Sequence, residues 1–384
     1  MRYLGIEEAD LSKGGAGWTA REIEQQPHSW VRTQEMLATH ARAIEAFLGP
    51  LLARQDLRII LTGAGSSSYI GQCLAPLLLR SLNRRVEAIA TTDLVSAPRN
   101  YFQKDVPTLL ISFGRSGNSP ESFAAIDLSR QCVQECYQLV FTCNSEGSLY
   151  TSCHGRADSF AVLLPEETHD RSFAMTSSFS CMLYAAQAVF HGIAAYADKV
   201  RRIAAAGAAV IEAFNWPLRV LAGRDHARVV LLGSSGLVGL ANEAALKVLE
   251  LTDGAVVAVG HSSLGLRHGP KTMVNRDTLV TMFVSNDPLT RRYDLDLLRE
   301  LRRDAVAAHV LAITAVADEA ATEGEHLLVP DMSAADDAEL MFPFVVCAQL
   351  YAFHRSLRVG NSPDEPNASG IVSRVVRGVT IHTL

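Results

Sequence analysis

The 384-residue chain carries one pattern twice, and few folds accommodate that. RIILTG at Arg58–Gly63 returns as RVVLLG at Arg228–Gly233, and TLLISF at Thr108–Phe113 returns as TLVTMF at Thr278–Phe283, both at an offset of 170 residues. QLVFT and VLAIT, then LLP and LVP, continue the series with small shifts. A constant offset across separate apolar runs marks a duplicated supersecondary unit. The leading runs are short and apolar, and Gly/Ser-rich turns lead from them into helical stretches, which reads as strand–loop–helix. The expected fold class is α/β, with two similar subdomains, each a parallel sheet sandwiched by helices in the doubly wound, flavodoxin-like manner. The boundaries drawn from the repeat are a leader with helices over 1–53, a first subdomain over 54–200, a second over 218–360 and a tail over 361–384. Residues 1 to about 17 read as a loose leader. Thr19 and Glu22 fit a capping box, a helix is expected from about Trp30 to Ala53, and Val200–Phe214 is expected to join the repeats as a helix. The tail is polar and then β-branched, which predicts that it packs down or pairs at a sheet edge.

Composition narrows the function classes. A formal net charge of −6 argues against nucleic-acid binding by bulk electrostatics, and leaves room for a phosphorylated small molecule held by local donors. No basic-then-apolar leader and no apolar run of membrane-spanning length is present, so the expectation is a cytoplasmic protein without a membrane partner. The seven cysteines form no CxxC pair and are expected as buried reduced thiols, with Cys132 and Cys136 four apart in a helix. No metal site is expected.

Two of the turns have the makings of an anion cradle. In RIILTGAGSSSYIG, the Gly-Ser turn leads into a helix whose N-terminal N–H groups and hydroxyls can point at a phosphate; a tight connection alone serves equally well. It is not a Walker loop, because no Gly-Lys-Ser/Thr follows. In TLLISFGRSGNSPES, Arg115, Ser116, Ser119 and Ser122 concentrate donors where a helix begins near Pro120. A plain N-cap at Ser119 is the simpler alternative, but it uses one hydroxyl, and several stand here beside an arginine. A third cluster, Thr176-Ser177-Ser178, opens another helix and fits a polar pocket or an ordinary cap equally well.

The second repeat lacks GRSGNS and carries NEAALKVLEL instead. Glu243, Lys247 and Glu250 stand at i, i+4 and i+7 and share one helix face. His268 follows in GLRHGPK, an irregular loop. Together these residues can supply a base, a cationic stabiliser and a neutral-pH acid for proton transfer on a sugar. On spacing alone, an exposed ion-pair ladder accounts for the three helix residues as well. One subdomain would hold the phosphate and the other the acid–base groups.

The marks GAGSSS, SFGRSGNSPES, NEAALKVLEL, GLRHGP and SPDEPNASGIVSRVVRGVTI give the chain a resemblance to the sugar isomerase (SIS) domain family, in two tandem copies covering nearly everything after the N-terminal helix. Within that family it most resembles the galactosamine-6-phosphate deaminase/isomerase group, also described as tagatose-6-phosphate ketose/aldose isomerases. The resemblance implies that Ser67, Ser116 and Ser119 hold the sugar phosphate with help from Ser66, that Glu250 shuttles a proton between C1 and C2, that Lys247 lies beside the C2 substituent, that His268 opens the ring, and that Thr176 contacts the sugar. By comparison with the isomerase half of glucosamine-6-phosphate synthase, His268 would reach in from a neighbouring subunit, so a homodimer or dimer of dimers with a shared active site is implied, and no cofactor. Departures from that synthase are Gly114 in place of its first phosphate-loop serine, Arg115 in place of its glutamine, and Arg377 in place of its near-terminal lysine. Arginine does not readily lose a proton, which leaves Arg377 a substrate-binding rather than a general-base role. With no glutaminase domain and no N-terminal cysteine to supply ammonia, the expected direction is deamination.

Overall fold

The computed structural model describes residues 1–376 and 378–384. A short antiparallel hairpin, β1 (Arg2–Tyr3) with β2 (Ile6–Glu7), opens the chain. The first large sheet is built from β3 (Arg58–Thr62), β4 (Val86–Ala88), β5 (Thr108–Gly114), β6 (Cys136–Thr142) and β7 (Ser159–Leu163), and the second from β8 (Arg228–Gly233), β9 (Val257–Ser262), β10 (Thr278–Phe283), β11 (His309–Thr314) and β12 (His326–Leu328). Their spatial orders are β4-β3-β5-β6-β7 and β9-β8-β10-β11-β12, so the second sheet repeats the first strand for strand. Every ladder in both sheets is parallel. The order 2-1-3-4-5 is that of a doubly wound sheet, which places a topological switch between its first and third strands. Register preserves the sequence offset: Arg58 lies opposite Thr108 and Arg228 opposite Thr278.

The chain forms two compact units. One comprises Ser29–Asp170, Ser177–Asp198 and Gly370–Leu384 and contains the first sheet; the other comprises Met1–His28, Arg171–Thr176 and Lys199–Ser369 and contains the second. Strands buried on both faces explain the unbroken apolar runs, with β3, β5 and β10 buried at every position. In the first-sheet unit, Ile60, Leu110 and Val140 pack with Leu94, Ala125 and Ile126. In the second-sheet unit, Val230, Val280 and Met282 pack with Leu297, Leu298 and Leu301. Each such valine, leucine, isoleucine or methionine side chain contributes about 1.5–3 kcal/mol through removal from water. Among the described residues no helix is long and apolar enough to cross a membrane.

Several local expectations need correction. Residues 1–17 are not a loose leader: Leu4 and Gly5 take positive φ values of 49° and 75°, the geometry of a tight hairpin turn, and Leu4, Leu11 and Ala16 are buried. Thr19 and Glu22 make no capping box. They lie inside the helix Gly17–Glu24, whose N-cap is Ala16, and each has a distant partner. The Thr19 amide and hydroxyl donate to Asp364 at 2.8 and 2.7 Å, and Glu22 accepts from the Arg171 and Ser172 amides. Cys132 ends the helix Pro120–Cys132 while Cys136 opens β6, so the two do not share a helix. All seven cysteines are free, and burial pushes the Cys143 thiol up to about 12. The helix Ile193–Ala222 covers the expected joining stretch. The tail packs down through Ser362 and Asp364, which bond to the Gly15 carbonyl, but its described residues form no edge strand.

Candidate active site

In the first-sheet unit, two loops leave the carboxyl ends of the adjacent strands β3 and β5, on either side of the switch point. The first runs through Gly63 into the helix Ser66–Leu82. A Cβ on Gly63 would lie 2.5 Å from the Ser67 carbonyl carbon, so only glycine lets the helix start this close to the strand. Ser66 and Ser67 occupy the buried first turn of that helix. The second loop carries Gly114, Arg115, Ser116 and Asn118 to Ser119, the N-cap of the helix Pro120–Cys132. The Ser119 hydroxyl does not cap this helix; it pairs with the Ser122 hydroxyl at 2.5 Å. The simple side-chain cap reading therefore fails; the Ser122 amide bonds instead to the Ser119 carbonyl at 3.0 Å.

This loop is braced from behind. Asn144 donates to the Ser116 carbonyl at 2.8 Å, the Leu149 amide donates to the Gly117 carbonyl at 3.0 Å, and the Ser148 amide donates to Asn118 Oδ1 at 2.9 Å. Arg115 is buried to 6% exposure and donates to the Arg374 carbonyl at 3.2 Å, while the Arg374 guanidinium donates to the Asp170 carbonyl. Asn118, Asn144 and Arg374 escaped the sequence reading. The repeat does mark the loop after β6 as a strand end, where such a brace can be sought; nothing in composition points to Arg374. The Ser177 and Ser178 hydroxyls both donate to Asp170, whose carboxylate also accepts from the Ser178 amide at 2.8 Å and so caps the first turn of the helix Ser177–His191. Thr176 is fully buried at the start of that segment. Arg377 lies outside the described residues.

In the second-sheet unit, the helix Gly236–Leu251 carries the acid–base candidates. Glu243 and Lys247 are fully buried, and the Glu250 side chain is 24% exposed. The Lys247 ammonium pairs with Glu250 and lies 3.4 Å from Glu243. An exposed ladder is thus excluded: two of the three groups are interior, and Glu250 alone reaches solvent. Two carboxylates compensate an ammonium removed from water, a compensation that a surface pair never needs. The helix end is fixed as well, because the Leu251 carbonyl accepts from Ser356 Oγ at 2.5 Å and Asn361 Nδ2 at 2.9 Å.

His268 sits in the turn after the short helix Ser263–Leu266, with Gly269 at φ 118° beside it. Its neighbours anchor the turn: Arg267 and Lys271 both bind Glu300, and Lys271 also binds Asp304 at 2.6 Å. Hydrogen bonds donated to Asp304 and Glu300 raise the Lys271 pKa, and those accepted from Lys271 and Arg267 lower that of Glu300. The His268 side chain is exposed, and among the described residues its ring makes no hydrogen bond or ion pair. Lys247 and Glu250 are therefore brought together, and His268 is presented outward.

A family model described as the SIS domain matches residues 51–192. A D-galactosamine-6-phosphate deaminase AgaS from Escherichia coli is 47% identical over 366 residues, covering 95% of each chain. The chain belongs to the SIS-domain family. A D-galactosamine-6-phosphate deaminase AgaS from Shewanella sp. (strain ANA-3) is 43% identical over 382 residues, 99% of this SIS-domain protein and 95% of the relative. The crystal structure of tagatose-6-phosphate ketose/aldose isomerase from Escherichia coli superposes with a TM-score of 0.90 at 45% identity, covering 95% of this chain and 96% of that one. The matched SIS segment contains the whole first sheet; the second sheet repeats its strand order outside the matched range.

Proposed function

We propose that this SIS-domain protein deaminates and isomerises a 2-amino-2-deoxyhexose 6-phosphate, converting D-galactosamine 6-phosphate and water to D-tagatose 6-phosphate and ammonia. The observation that carries the chemistry is the buried Lys247 ammonium between Glu243 and Glu250, with only Glu250 open to solvent. The substrate is supported by the AgaS relatives, whose identity extends over nearly the full chain. Ser66, Ser67, Arg115, Ser116 and Ser119 hold the 6-phosphate, through hydroxyls, a guanidinium and helix N–H groups. His268 donates a proton to the ring oxygen and opens the sugar. Glu250 takes the C2 proton, giving an enolamine, and returns a proton to C1, giving a ketimine at C2. Water adds to the ketimine carbon and ammonia leaves. Lys247, beside Glu250, stabilises negative charge that develops on the C1–C2 unit.

An exposed, unpartnered His268 on an anchored turn supports its use on the substrate of a neighbouring subunit in a dimer, and a phosphorylated sugar as substrate supports work in the cytoplasm. A plain tagatose-6-phosphate ketose/aldose isomerase is the second reading, favoured by the Escherichia coli structure of that name. Ammonia release decides between them. Purified protein is given galactosamine 6-phosphate, glucosamine 6-phosphate, the N-acetylated sugar and tagatose 6-phosphate, with Glu250→Gln alongside. Ammonia from galactosamine 6-phosphate, reduced by about 10²–10⁴-fold in the variant, supports the deaminase. Turnover of tagatose 6-phosphate with no ammonia from any amino sugar transfers the assignment to the plain isomerase.

A further inference from the structure

The second repeat keeps the architecture of the first cradle, and its occupant is visible. At the loop after β8, the backbone reproduces the loop after β3 at an offset of 170 residues. Gly65 has φ 56° and ψ −129°, and Ser235 has φ 52° and ψ −129°. The Ser67 amide donates to the Ala64 carbonyl at 3.2 Å, and the Leu237 amide to the Ser234 carbonyl at 3.0 Å. Gly63 could not carry a Cβ because of Ser67, and Gly233 could not because of the Leu237 carbonyl, 2.3 Å from the position a Cβ would take. A serine at φ 52° lies in a region that glycine tolerates and other residues resist, so the loop shape is kept against a local strain of about 1–3 kcal/mol. The side chains do not follow: Ser67 is replaced by Leu237 and Arg115 by Ser285.

Into this second cradle reaches Asp294, a fully buried residue of the helix Pro288–Asp304. One carboxylate oxygen accepts from Ser234 Oγ at 2.6 Å and the other from the Ser285 amide at 3.1 Å. Those two donors belong to the loops after β8 and β10, the counterparts of the loops that flank the switch point of the first sheet. The buried Ser263 hydroxyl faces the same carboxylate outside good hydrogen-bonding geometry. Asp337 closes the outer side, accepting from Ser285 Oγ at 2.5 Å and the Asn286 amide at 2.7 Å. Counted from the proline that opens each helix, the first repeat has Ile126 at the position of Asp294, which brings no charge.

We propose that Asp294 is a built-in anion that fills the second repeat's cradle in place of a phosphate, holds the loop that starts the Gly236–Leu251 helix, and so restricts sugar-phosphate binding to the first repeat. Asp294 is a positioning residue: it touches the frame of the helix carrying Lys247 and Glu250, not the substrate. The comparison rests on the reading of the first cradle as a phosphate site, but the Asp294 contacts stand by themselves, and the test needs no sugar phosphate.

Thermal unfolding of wild type, Asp294→Ala and Asp294→Asn is followed against sodium acetate and inorganic phosphate, with sodium chloride at matched ionic strength. Asp294→Ala leaves donors around an empty carboxylate site, so acetate is expected to raise its Tm by roughly 2 °C or more in a dose-dependent way while leaving wild type unchanged, and phosphate is expected to raise it beyond the wild-type response. Asp294→Asn keeps the shape and one acceptor for the Ser285 amide but removes the charge, and is expected to lower Tm with no acetate rescue. An Asp294→Ala protein that responds to both anions as wild type does overturns the proposal. So does an Asp294→Asn protein as stable as wild type, a result that remains decisive if the alanine variant does not fold. Failure of galactosamine 6-phosphate turnover in wild type would count against the proposed function and leave these measurements untouched.

Discussion

Lys247 is a full side chain of charge taken out of water, and the groups beside it make that tolerable: Glu243 one helical turn before it and Glu250 nearly one turn after. The two carboxylates have different surroundings. Glu243 is wholly interior, whereas Glu250 reaches solvent, and a base that must exchange a proton with substrate has to be the accessible one. Removal of the lysine therefore has a consequence beyond catalysis. Lys247→Met removes the ammonium 3.4 Å from the buried Glu243 carboxylate, and stability is expected to fall by about 3–5 kcal/mol in denaturant titrations. The double variant Glu243→Gln/Lys247→Met is expected to recover a large part of that loss, since neither charge of the buried pair then remains. A single variant as stable as wild type would mean that Glu243 has another compensating partner and that the triad is not electrostatically coupled. Glu243, Lys247 and Glu250 were legible as a shared helix face because a 3.6-residue period is printed directly in the spacing. Their burial was not, since the same spacing describes a solvent-exposed ladder and only tertiary packing distinguishes the two.

Strand–loop–helix elements set the next scale. Each cradle depends on a glycine at a strand end and on a helix that begins within contact of it, so donors are fixed by backbone geometry and tuned by side chains. Loss of hydroxyls from the second loop of the first-sheet unit should therefore weaken binding and spare the fold. Ser116→Ala/Ser119→Ala is expected to raise KM for the sugar phosphate about 10-fold to 100-fold, at 1.5–3 kcal/mol for hydrogen bonds to a charged group, with Tm within about 2 °C of wild type. A drop in kcat at unchanged KM would instead place these serines in the chemical step. The strands were legible because double burial in a parallel sheet demands unbroken apolar runs. Interactions that join distant segments were not. Thr19 looked like the start of a capping box, yet its partner Asp364 lies at the other end of the chain, and Asn144 braces the Ser116 loop from a separate strand end. No local pattern records either pairing.

At the scale of the whole molecule, the duplicated sheet was readable from a single offset, while the buried ionisable groups that govern its response to pH were not, because a histidine or aspartate in an apolar context has no sequence signature of its own. Two histidines are held neutral. Burial, and then neighbouring His309 and the positive charges of Arg355 and Arg224, depress the His226 pKa to about 4; burial, followed by Arg219, depresses that of His354 to about 4. His354 Nε2 is bonded to Asn215 Oδ1 at 2.7 Å, an arrangement that needs only one ring proton. The unfolded chain binds protons at both rings from about pH 6.5 downward, whereas the folded chain does so only near pH 4. The unfolded state therefore holds more protons in that window, and stability must fall as pH drops through it and level off below about 4. Asp294 and Asp337 act in the opposite sense, since burial raises both carboxyls and the folded state takes up their protons first, offsetting part of the loss at the acidic end. Thermal unfolding from pH 7.5 to pH 4.5 should show Tm nearly flat above about 6.5 and declining below it. His226→Gln/His354→Gln should decline less steeply over the same interval, because neither side chain can charge. A variant slope equal to that of wild type would assign the acid sensitivity to carboxylates, and the two histidines would then be bystanders in a fold whose limits are set elsewhere.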